Sequence, residues 1–389
     1  MKFIKLIVRN AMRHKLRSAL TVIGIGIAVL AFTLIRTVIG AWYAGIDAAS
    51  ADRLITRHAV SFVFSLPISY AAKIRQVPGV ANLSHAIWFQ GIYKDAREFK
   101  NFFPRMAIDT EHYFEVYPEF IIKKDQLEAF RKERNACIIG IKTARQHNFK
   151  IGDVIPITGD IYAGKWEFVI RGIYTGRDRL TDETQMFFDW QYLNERMKEN
   201  DNTLRADRIG WYVVKVGDIS KSAAISQQID NIFKNSAAET KTETEKAFNQ
   251  SFISMYSAII TAMNFISFVI VGIILLVLGN TMAMTARERT TEYAILKTLG
   301  FTSKHLLGMV SGESLTISLI GGALGILVAF PIIRGFQVAF PNMFPILPDP
   351  TITILIGGLA AVSVGIIASI FPVLRVMRMR IVDGLRHID

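Results

Sequence analysis

The sequence predicts an α-helical membrane protein with four transmembrane helices and a two-lobed α/β (α+β) extracytoplasmic domain between the first and second of them. Of its 389 residues 51% are hydrophobic, and the mean hydropathy is +0.31. Stretches without an acidic or basic residue near their middle reach the roughly 20 residues that a helix needs to cross a bilayer. They are residues 18–39, 252–286, 311–333 and 351–374.

Positive charge is concentrated at the ends of these stretches. Residues 1–17 carry six bases and no acid, whereas residues 43–250 are nearly neutral, with 29 bases and 27 acids. The segments 285–305 and 375–389 each have a net charge of +2. An excess of Lys and Arg in short loops marks the cytoplasmic side of a membrane. We therefore predict a multi-pass protein of the inner (cytoplasmic) membrane with cytoplasmic termini, a periplasmic or extracytoplasmic middle domain and no nucleic-acid partner.

The region 50–239 has short apolar or alternating runs separated by Gly and Pro turns, which is typical of an α/β domain. Because the apolar run from residue 252 is about 35 residues long, it exceeds the ~30 Å core of a bilayer. Residues 240–250 are polar and compatible with a helix, so we expect a helical stalk to begin there. In chain order we predict a cytoplasmic amphipathic helix or plain charged flank (1–17), TM1 and stalk (18–49), the extracytoplasmic domain (50–239, with an inserted lobe near 115–180), stalk and TM2 (240–286), a short cytoplasmic helix (287–305), TM3 (306–333), an outer loop (334–350), TM4 (351–374) and a cytoplasmic tail (375–389).

The segment between the second and third spans is compact and charged. Charged residues extend from Arg287 to Lys304, with the apolar residues among them between Tyr293 and Phe301. Gly300 ends the run, and Thr302 with Ser303 offers an N-cap for the next helix. This pattern predicts an amphipathic helix that is too short and too polar to span, and that can contact a partner at the membrane surface. A solvated charged face is the ordinary alternative.

The later spans are rich in small residues, which allow helices to approach closely. Packing within one chain and pairing of two chains both remain open for these glycines. Glu313 lies two residues into the third span, where a structural hydrogen bond or a helix N-terminal role is expected. The residues predicted to pack or to dimerise are Gly308, Gly312, Glu313, Gly321, Gly322, Gly325, Gly357, Gly358 and Gly365.

Sequence motifs of catalysis are missing. The chain has no GxxxxGK[ST], HExxH, CxxC or GxSxG pattern, and its one cysteine, Cys137, lies in an apolar run. We therefore predict a non-catalytic subunit without a catalytic residue, bound cofactor or metal of its own, whose energy comes from another protein.

Several segments resemble the MacB/FtsX-type permeases, the four-span subunits of ABC transporters that include MacB, LolC/LolE and FtsX and share the type VII ABC transporter fold. The resemblance extends over nearly the whole chain and is most specific at 287–325, where Glu292 to Gly300 reads EYAILKTLG. The other matching segments are LIVRNAMRHKLRSALTV at 6–22, PGV at 78–80, the Gly140 and Gly152-Asp153-Val154 region of 138–158, Phe371-Pro372 and 382–386.

The resemblance implies a dimer, either a homodimer or a pair with a paralogous permease, that docks on an ABC ATPase of the LolD/MacB kind. Since 17 residues precede the first span, that ATPase is expected on a separate chain, which would bind ATP and Mg²⁺. Leu296, Leu299 and Phe301 are the expected apolar contacts. The full set of ATPase-coupling residues is Arg289, Glu292, Tyr293, Ile295, Leu296, Lys297, Leu299, Gly300 and Phe301.

The resemblance also implies mechanotransmission, in which ATP-driven movement passes through the stalk to the outer domain. We expect export of a hydrophobic or amphiphilic compound, a peptide, a lipid or a lipoprotein, with a periplasmic adaptor and in some settings an outer-membrane channel. The alternative is a transmitter of the FtsX kind, which activates a cell-envelope enzyme such as a peptidoglycan hydrolase.

Overall fold

The computed structural model describes residues 7, 9–199, 204–339, 346, 348 and 350–379. The predictions for residues 1–6, for residues 380–389 of the tail and for part of the outer loop lie outside this range. The chain forms two compact units, which we call the helical unit and the α/β unit. The helical unit comprises Met1–Gly40, Ser257–Gly335 and Pro348–Asp389, and the α/β unit comprises Ala41–Tyr256 and Phe336–Leu347.

Helices and strands follow one another in the order expected for a domain inserted between two spans. The helices α1 to α12 are Lys15–Asp47, Tyr70–Arg75, Tyr113–Val116, Lys124–Lys132, Ile141–His147, Trp190–Glu199, Ser222–Ile232, Glu245–Ser254, Ser257–Glu288, Thr290–Thr298, Ser303–Ala339 and Pro350–Arg378. The strands β1 to β13 are Arg53–His58, Leu66–Pro67, Val80–Trp88, Gly91–Ile92, Arg105–Ile108, Phe120–Ile121, Ala136–Gly140, Val154–Gly159, Gly164–Gly176, Met186–Asp189, Arg208–Ile209, Trp211–Val216 and Thr240–Thr244.

Four helices, α1, α9, α11 and α12, are long and apolar enough to cross a membrane, with mean hydropathies of 2.2 to 2.6 over their most apolar 18 residues. The α/β unit falls between α1 and α9 in the chain. This confirms the predicted fold class. In the N-terminal segment, residues 7 and 9–11 are helical, and residues 12–14 form a turn before α1.

Small residues bring α11 close to α1. A Cβ atom added to Gly325 would lie 2.5 Å from the carbonyl oxygen of Gly26, and one added to Gly321 would lie 2.9 Å from that of Val22. Such backbone approach is possible only without a side chain. Glycines therefore set the contact between these two helices within one chain.

The contact between α11 and α12 uses small residues as well. A Cβ on Gly322 would lie 2.5 Å from that of Ala361, and one on Gly365 would lie 3.0 Å from that of Ser318. By contrast, a Cβ on Gly358 would have nothing within 4 Å. Of the remaining predicted glycines, Gly312 faces Ile7, Gly357 faces Ile326 and Thr33, and Gly308 is half-buried in α11.

An eleven-stranded sheet organises the α/β unit. Its order is β13-β1-β12-β3-β5-β10-β7-β9-β8-β4, with β6 paired to β9. The pairs β5/β10 and β7/β9 are parallel, and the other pairs are antiparallel. A separate two-stranded pair joins β2 to β11. The segment predicted as an inserted lobe supplies β6 to β9.

Both faces of this sheet are covered. Successive strand residues point to opposite faces, and Leu54 and Ile55 of β1 accordingly belong to two different buried clusters. Phe188 and Phe187 of β10 divide between the same two clusters. Cys137 is fully buried in the first, and burial raises the pKa of its thiol far above the usual value.

The predicted helical stalk does not begin at Thr240. Thr240–Thr244 instead forms strand β13, which pairs with β1. The alternating β-branched residues suit a strand, and the hydroxyl groups of Thr240 and Thr242 donate to Asp230 at 2.9 and 2.7 Å. Helix starts only after the Thr244 side chain accepts from the amide of Ala247.

Gly325→Ala should separate α1 from α11, since its new methyl group meets a backbone oxygen that cannot move by itself. We expect a lower unfolding temperature in detergent, with a loss of about 1–3 kcal/mol. The matched control is Gly358→Ala, where the space is open, and its effect should stay within about 0.5 kcal/mol. Equal effects of the two substitutions would contradict this account of the interface.

Candidate functional site

The candidate site is the interhelical segment, residues 289–302, between α9 and α11. Arg289 leaves helical geometry with φ −103° and ψ 17°, and α10 starts at the next residue. At the other end Gly300 has φ +91°, a conformation that favours glycine. The amide of Phe301 donates to the carbonyl of Leu296 at 3.0 Å, which closes the helix. The segment is therefore a helix with a defined start and a defined stop.

One face of α10 is packed inside the helical unit. Tyr293 is 2% exposed and Ala294 is fully buried. Burial raises the pKa of the Tyr293 phenol to about 12, so it stays neutral at physiological pH. Leu296 is half-buried against the same cluster. The buried members of that cluster are Ala286, Tyr293, Leu306, Met309, Val310, Val373 and Val376.

A buried arginine fixes the start of α10. The Arg289 side chain is 8% exposed, its Nε donates to Glu292 Oε2 at 2.9 Å, and its Nη1 donates to Glu313 Oε2 at 3.1 Å. Burial alone would lower the pKa of Arg289, but electrostatic interactions with Tyr293 and with the carboxylates of Glu292 and Glu313 outweigh it and raise the pKa. The sequence predicts Glu313 near the start of the third span. In the structure it is the ion-pair partner of Arg289 and links α11 to the start of α10.

The N-terminal segment is tied to the same place. Arg13 Nη1 lies 2.5 Å from Glu292 Oε1, and both Nη atoms of Arg17 donate to the two carboxylate oxygens of Glu288 at 2.8 and 2.9 Å. Burial would raise the pKa of Glu292, but hydrogen bonds from Arg289 and Arg13 outweigh it and lower the pKa. These pairs join residues more than 270 positions apart, and sequence reasoning missed both.

Lys297 connects the end of α10 to the end of α12. Its Nζ donates to the backbone carbonyls of Val376 and Met377 at 3.2 Å and of Met379 at 2.8 Å. Those carbonyls lie at or beyond the C-terminal turn of a helix, where they have no partner within the helix and where a cation is favourable. Through Arg289 at its start, Glu292 and Lys297, α10 is therefore bonded to α11, to Arg13 in the turn before α1, and to the end of α12.

The opposite face of the segment is apolar and exposed. Leu299 is 70% exposed, Ile295 46% and Phe301 39%. Of the three side chains expected to contact a partner, Leu299 and Phe301 are available, whereas Leu296 packs inward. Ile295 takes its place on the surface. We call Ile295, together with Leu299 and Phe301 just beyond the last residue of the helix, the apolar face of α10.

In the described part of the chain, no group of three His, Cys, Asp or Glu residues is placed to hold a metal. The arrangement at 289–302 is suited to transmitting force and to binding a protein.

Two family models match the chain. One describes a MacB-like periplasmic core domain and matches residues 18–232, and the other describes an FtsX-like permease C-terminal region and matches residues 264–381. Together they cover both units.

Similar proteins are ABC permeases. The uncharacterised ABC transporter permease YvrN of Bacillus subtilis is 33% identical over 109 residues, which are 28% of this chain and 26% of YvrN. The macrolide export ATP-binding/permease protein MacB of Campylobacter fetus is 27% identical over 241 residues, 60% of this chain and 36% of MacB. The uncharacterised ABC transporter permease MJ1507 of Methanocaldococcus jannaschii is 22% identical over 412 residues, 97% of this chain and 96% of MJ1507. The chain thus spans about a quarter of YvrN and about a third of MacB.

Arg289→Met should strongly destabilise the helical unit, because it leaves the buried Glu313 carboxylate without its partner. Removing one member of a buried ion pair costs about 3–5 kcal/mol, which we expect to appear as a lower unfolding temperature in detergent. Adding Glu313→Leu should restore much of the loss, since an apolar pair of similar volume is tolerated there.

The control for this experiment is Arg287→Met, which removes an exposed arginine two residues away. Its unfolding temperature should stay near that of the unsubstituted chain. If Arg289→Met behaves like this control, or if the double variant is no more stable than the single one, the ion pair does not hold α10 in place.

Proposed function

This chain belongs to the family of ABC transporter permeases that combine a MacB-like periplasmic core domain with an FtsX-like C-terminal region, and from that premise we propose that its interhelical segment docks on an ATPase and drives an exporter. The family implies an ATPase partner, and within it the permease is the non-catalytic subunit. The observation that carries the proposal is the apolar face of α10, exposed on a helix whose other groups are bonded to the rest of the helical unit.

Docking is supported by the contrast between the charged and the apolar side chains of the interhelical segment. Its charged groups Arg289, Glu292 and Lys297 have partners inside the chain, while Leu299 presents most of its side chain to the surroundings. A few well-placed apolar anchors supply most of the free energy of a protein interface. A groove on the ATPase that accepts Ile295, Leu299 and Phe301 would meet this requirement.

Transmission is supported by the bonds on the other side of α10. A displacement of the helix reaches α11 through Glu313, α12 through Lys297, and α1 through Arg13 and the Arg17–Glu288 pair. α1 is a single helix of 33 residues, or about 50 Å at 1.5 Å per residue. Movement applied at its first turn is therefore carried along its length.

In the function that we propose, ATP and Mg²⁺ are bound by the ATPase, and this chain works beside a second copy of itself or a paralogous permease. The termini and the interhelical segment face the cytoplasm, and the α/β unit faces the outside of the inner membrane. The cargo is a hydrophobic or amphiphilic compound, a peptide, a lipid or a lipoprotein, delivered with a periplasmic adaptor. An α/β unit with an eleven-stranded sheet favours export over signalling, since we expect a smaller domain in a signal transmitter.

Leu299→Arg should strongly weaken ATPase binding without unfolding the permease, because the side chain is exposed in the free chain but desolvated at the interface. Loss of a central anchor of about 2 kcal/mol weakens binding roughly 30-fold. The measurement is a pull-down of the detergent-solubilised permease from its own cells, with the partners identified by mass spectrometry.

The matched control is Leu204→Arg, at an 88% exposed leucine of the α/β unit, which should retain the ATPase. A P-loop ATPase lost only from the Leu299 variant supports docking, and an adaptor retained by both variants supports export. The docking proposal fails if the unsubstituted chain captures no ATPase or if the Leu299 variant keeps it. Capture of an envelope hydrolase instead of an adaptor would replace export by signalling.

A further inference from the structure

A short loop of the α/β unit exposes an unusual amount of apolar surface. Residues 59–72 contain no charged side chain, and within this run Val60 and Val63 are each 77% exposed and Phe64 is 53% exposed. We call residues 59–65 the apolar loop. Contiguous apolar surface on a protein usually marks contact with another protein or with lipid.

The apolar loop is a defined turn. The amide of Val63 donates to Ser61 Oγ at 3.3 Å, and the amide of Phe64 donates to the Ser61 carbonyl at 3.2 Å. The ring of Phe64 lies 5.2 Å from that of His58. These bonds hold the outward side chains in place instead of allowing them to fold back onto the unit.

The loop packs beside the end of α8. The rings of Phe62 and Phe252 are 5.6 Å apart, and the rings of Phe252 and Tyr256 are 6.1 Å apart. Tyr256 in turn lies 6.0 Å from Trp42. The loop is therefore continuous with an aromatic cluster that includes Trp42, in the last turns of α1, and Tyr256, immediately before α9.

Chain direction places this cluster at the membrane surface. Trp42 follows the apolar part of α1, and Tyr256 immediately precedes α9. Trp and Tyr at the ends of membrane helices concentrate at the level of the lipid headgroups. Trp42 and Tyr256 therefore mark that level within the α/β unit.

Strand β1 returns the chain to the level of Trp42 and Tyr256, where the apolar loop follows it. Beyond Trp42 and Tyr256, α1 and α8 remain in contact at Gly45 and Asn249, where the Asn249 side chain donates to the Gly45 carbonyl at 3.0 Å. They reach the start of β1, where Arg53 Nε donates to Glu245 Oε2 at 2.8 Å. β1 then runs in the same direction as α8.

The far end of β1 and the apolar loop share a shallow groove with Phe248 and Phe252 of α8 and with Met255, which follows that helix. The chain thus runs away from the level of Trp42 along α1, reverses its direction near Arg53 and returns along β1 to Phe62.

We propose that the apolar loop inserts Val60, Val63 and Phe64 into the headgroup region of the leaflet nearest the α/β unit, so that its partner is the lipid surface. Apolar and aromatic side chains without charge are suited to shallow insertion of this kind. Continuity with the Trp42–Tyr256 cluster favours lipid over a protein partner. The lipid contact would hold the β1 edge of the sheet at the membrane independently of any ATPase.

The test uses the full chain in liposomes of phosphatidylethanolamine and phosphatidylglycerol, with no other protein present. Val63→Cys carries an environment-sensitive NBD fluorophore, and lipids with a nitroxide near the headgroup serve as the quencher. The native Cys137 is fully buried, and the unsubstituted chain treated in the same way supplies the background. The matched control is Ile151→Cys, at a 49% exposed apolar residue beside β8, seven places along the sheet from β1.

The proposal predicts a blue-shifted emission at position 63 and a quenching several-fold stronger than at position 151. Phe64→Glu in the Val63→Cys background should reduce the quenching several-fold, while the thermal unfolding of the unit stays unchanged because Phe64 is exposed. Equal, water-like emission at positions 63 and 151 overturns the proposal, since it leaves the loop free for a protein partner. Quenching at position 63 that persists with Phe64→Glu also overturns it, because apolar insertion would then not be the cause.

Discussion

The burial of the Arg289 guanidinium is the constraint on which the helical unit depends. A buried charge is tolerated only with partners that satisfy it, and here Glu292 and Glu313 provide them at 2.9 and 3.1 Å. Because Glu313 belongs to α11 and Arg289 immediately precedes α10, the pair allows one placement of α10 against the membrane helix. The interactions of Arg13 and Lys297 add to a position that the buried pair has already defined.

The interhelical segment carries apolar side chains on both of its sides. An amphipathic helix ordinarily buries its apolar side chains and presents its charges to water. Here Tyr293 and Ala294 are buried in this way, but Ile295 and Leu299 are exposed, and Arg289 and Lys297 bond to the rest of the chain. Apolar surface left exposed in this way usually marks contact with another molecule that covers it. The ATPase that we propose is such a cover, and the same reasoning applied to the apolar loop leads to lipid.

Sequence patterns predicted the four spans, the inserted α/β domain and the helix that Gly300 ends, because each depends on composition or on residues close together in the chain. Other features depend on distant partners. The segment Thr240–Thr244 is polar and compatible with a helix by sequence, and its pairing with β1 makes it a strand. The inward direction of Leu296 depends on a cluster assembled from four helices, α9 to α12. The Arg13–Glu292 pair joins the two ends of a 279-residue separation, which no local pattern reveals.

Packing of the glycines within the chain limits the helix surface that remains for contact with a second copy of the permease. Gly321 and Gly325 are occupied by α1, and Gly322 and Gly365 lie in the contact between α11 and α12. α9 is the least buried of the four spans, with 17% of its most apolar 18 residues buried against 33 to 44% for the others, and the position of a Cβ at Gly272 is open, as it is at Gly358 of α12. Small residues on an unburied membrane helix allow close approach of another helix. For the paired permease that we propose, α9 is therefore the span with the largest share of its surface still available for the partner.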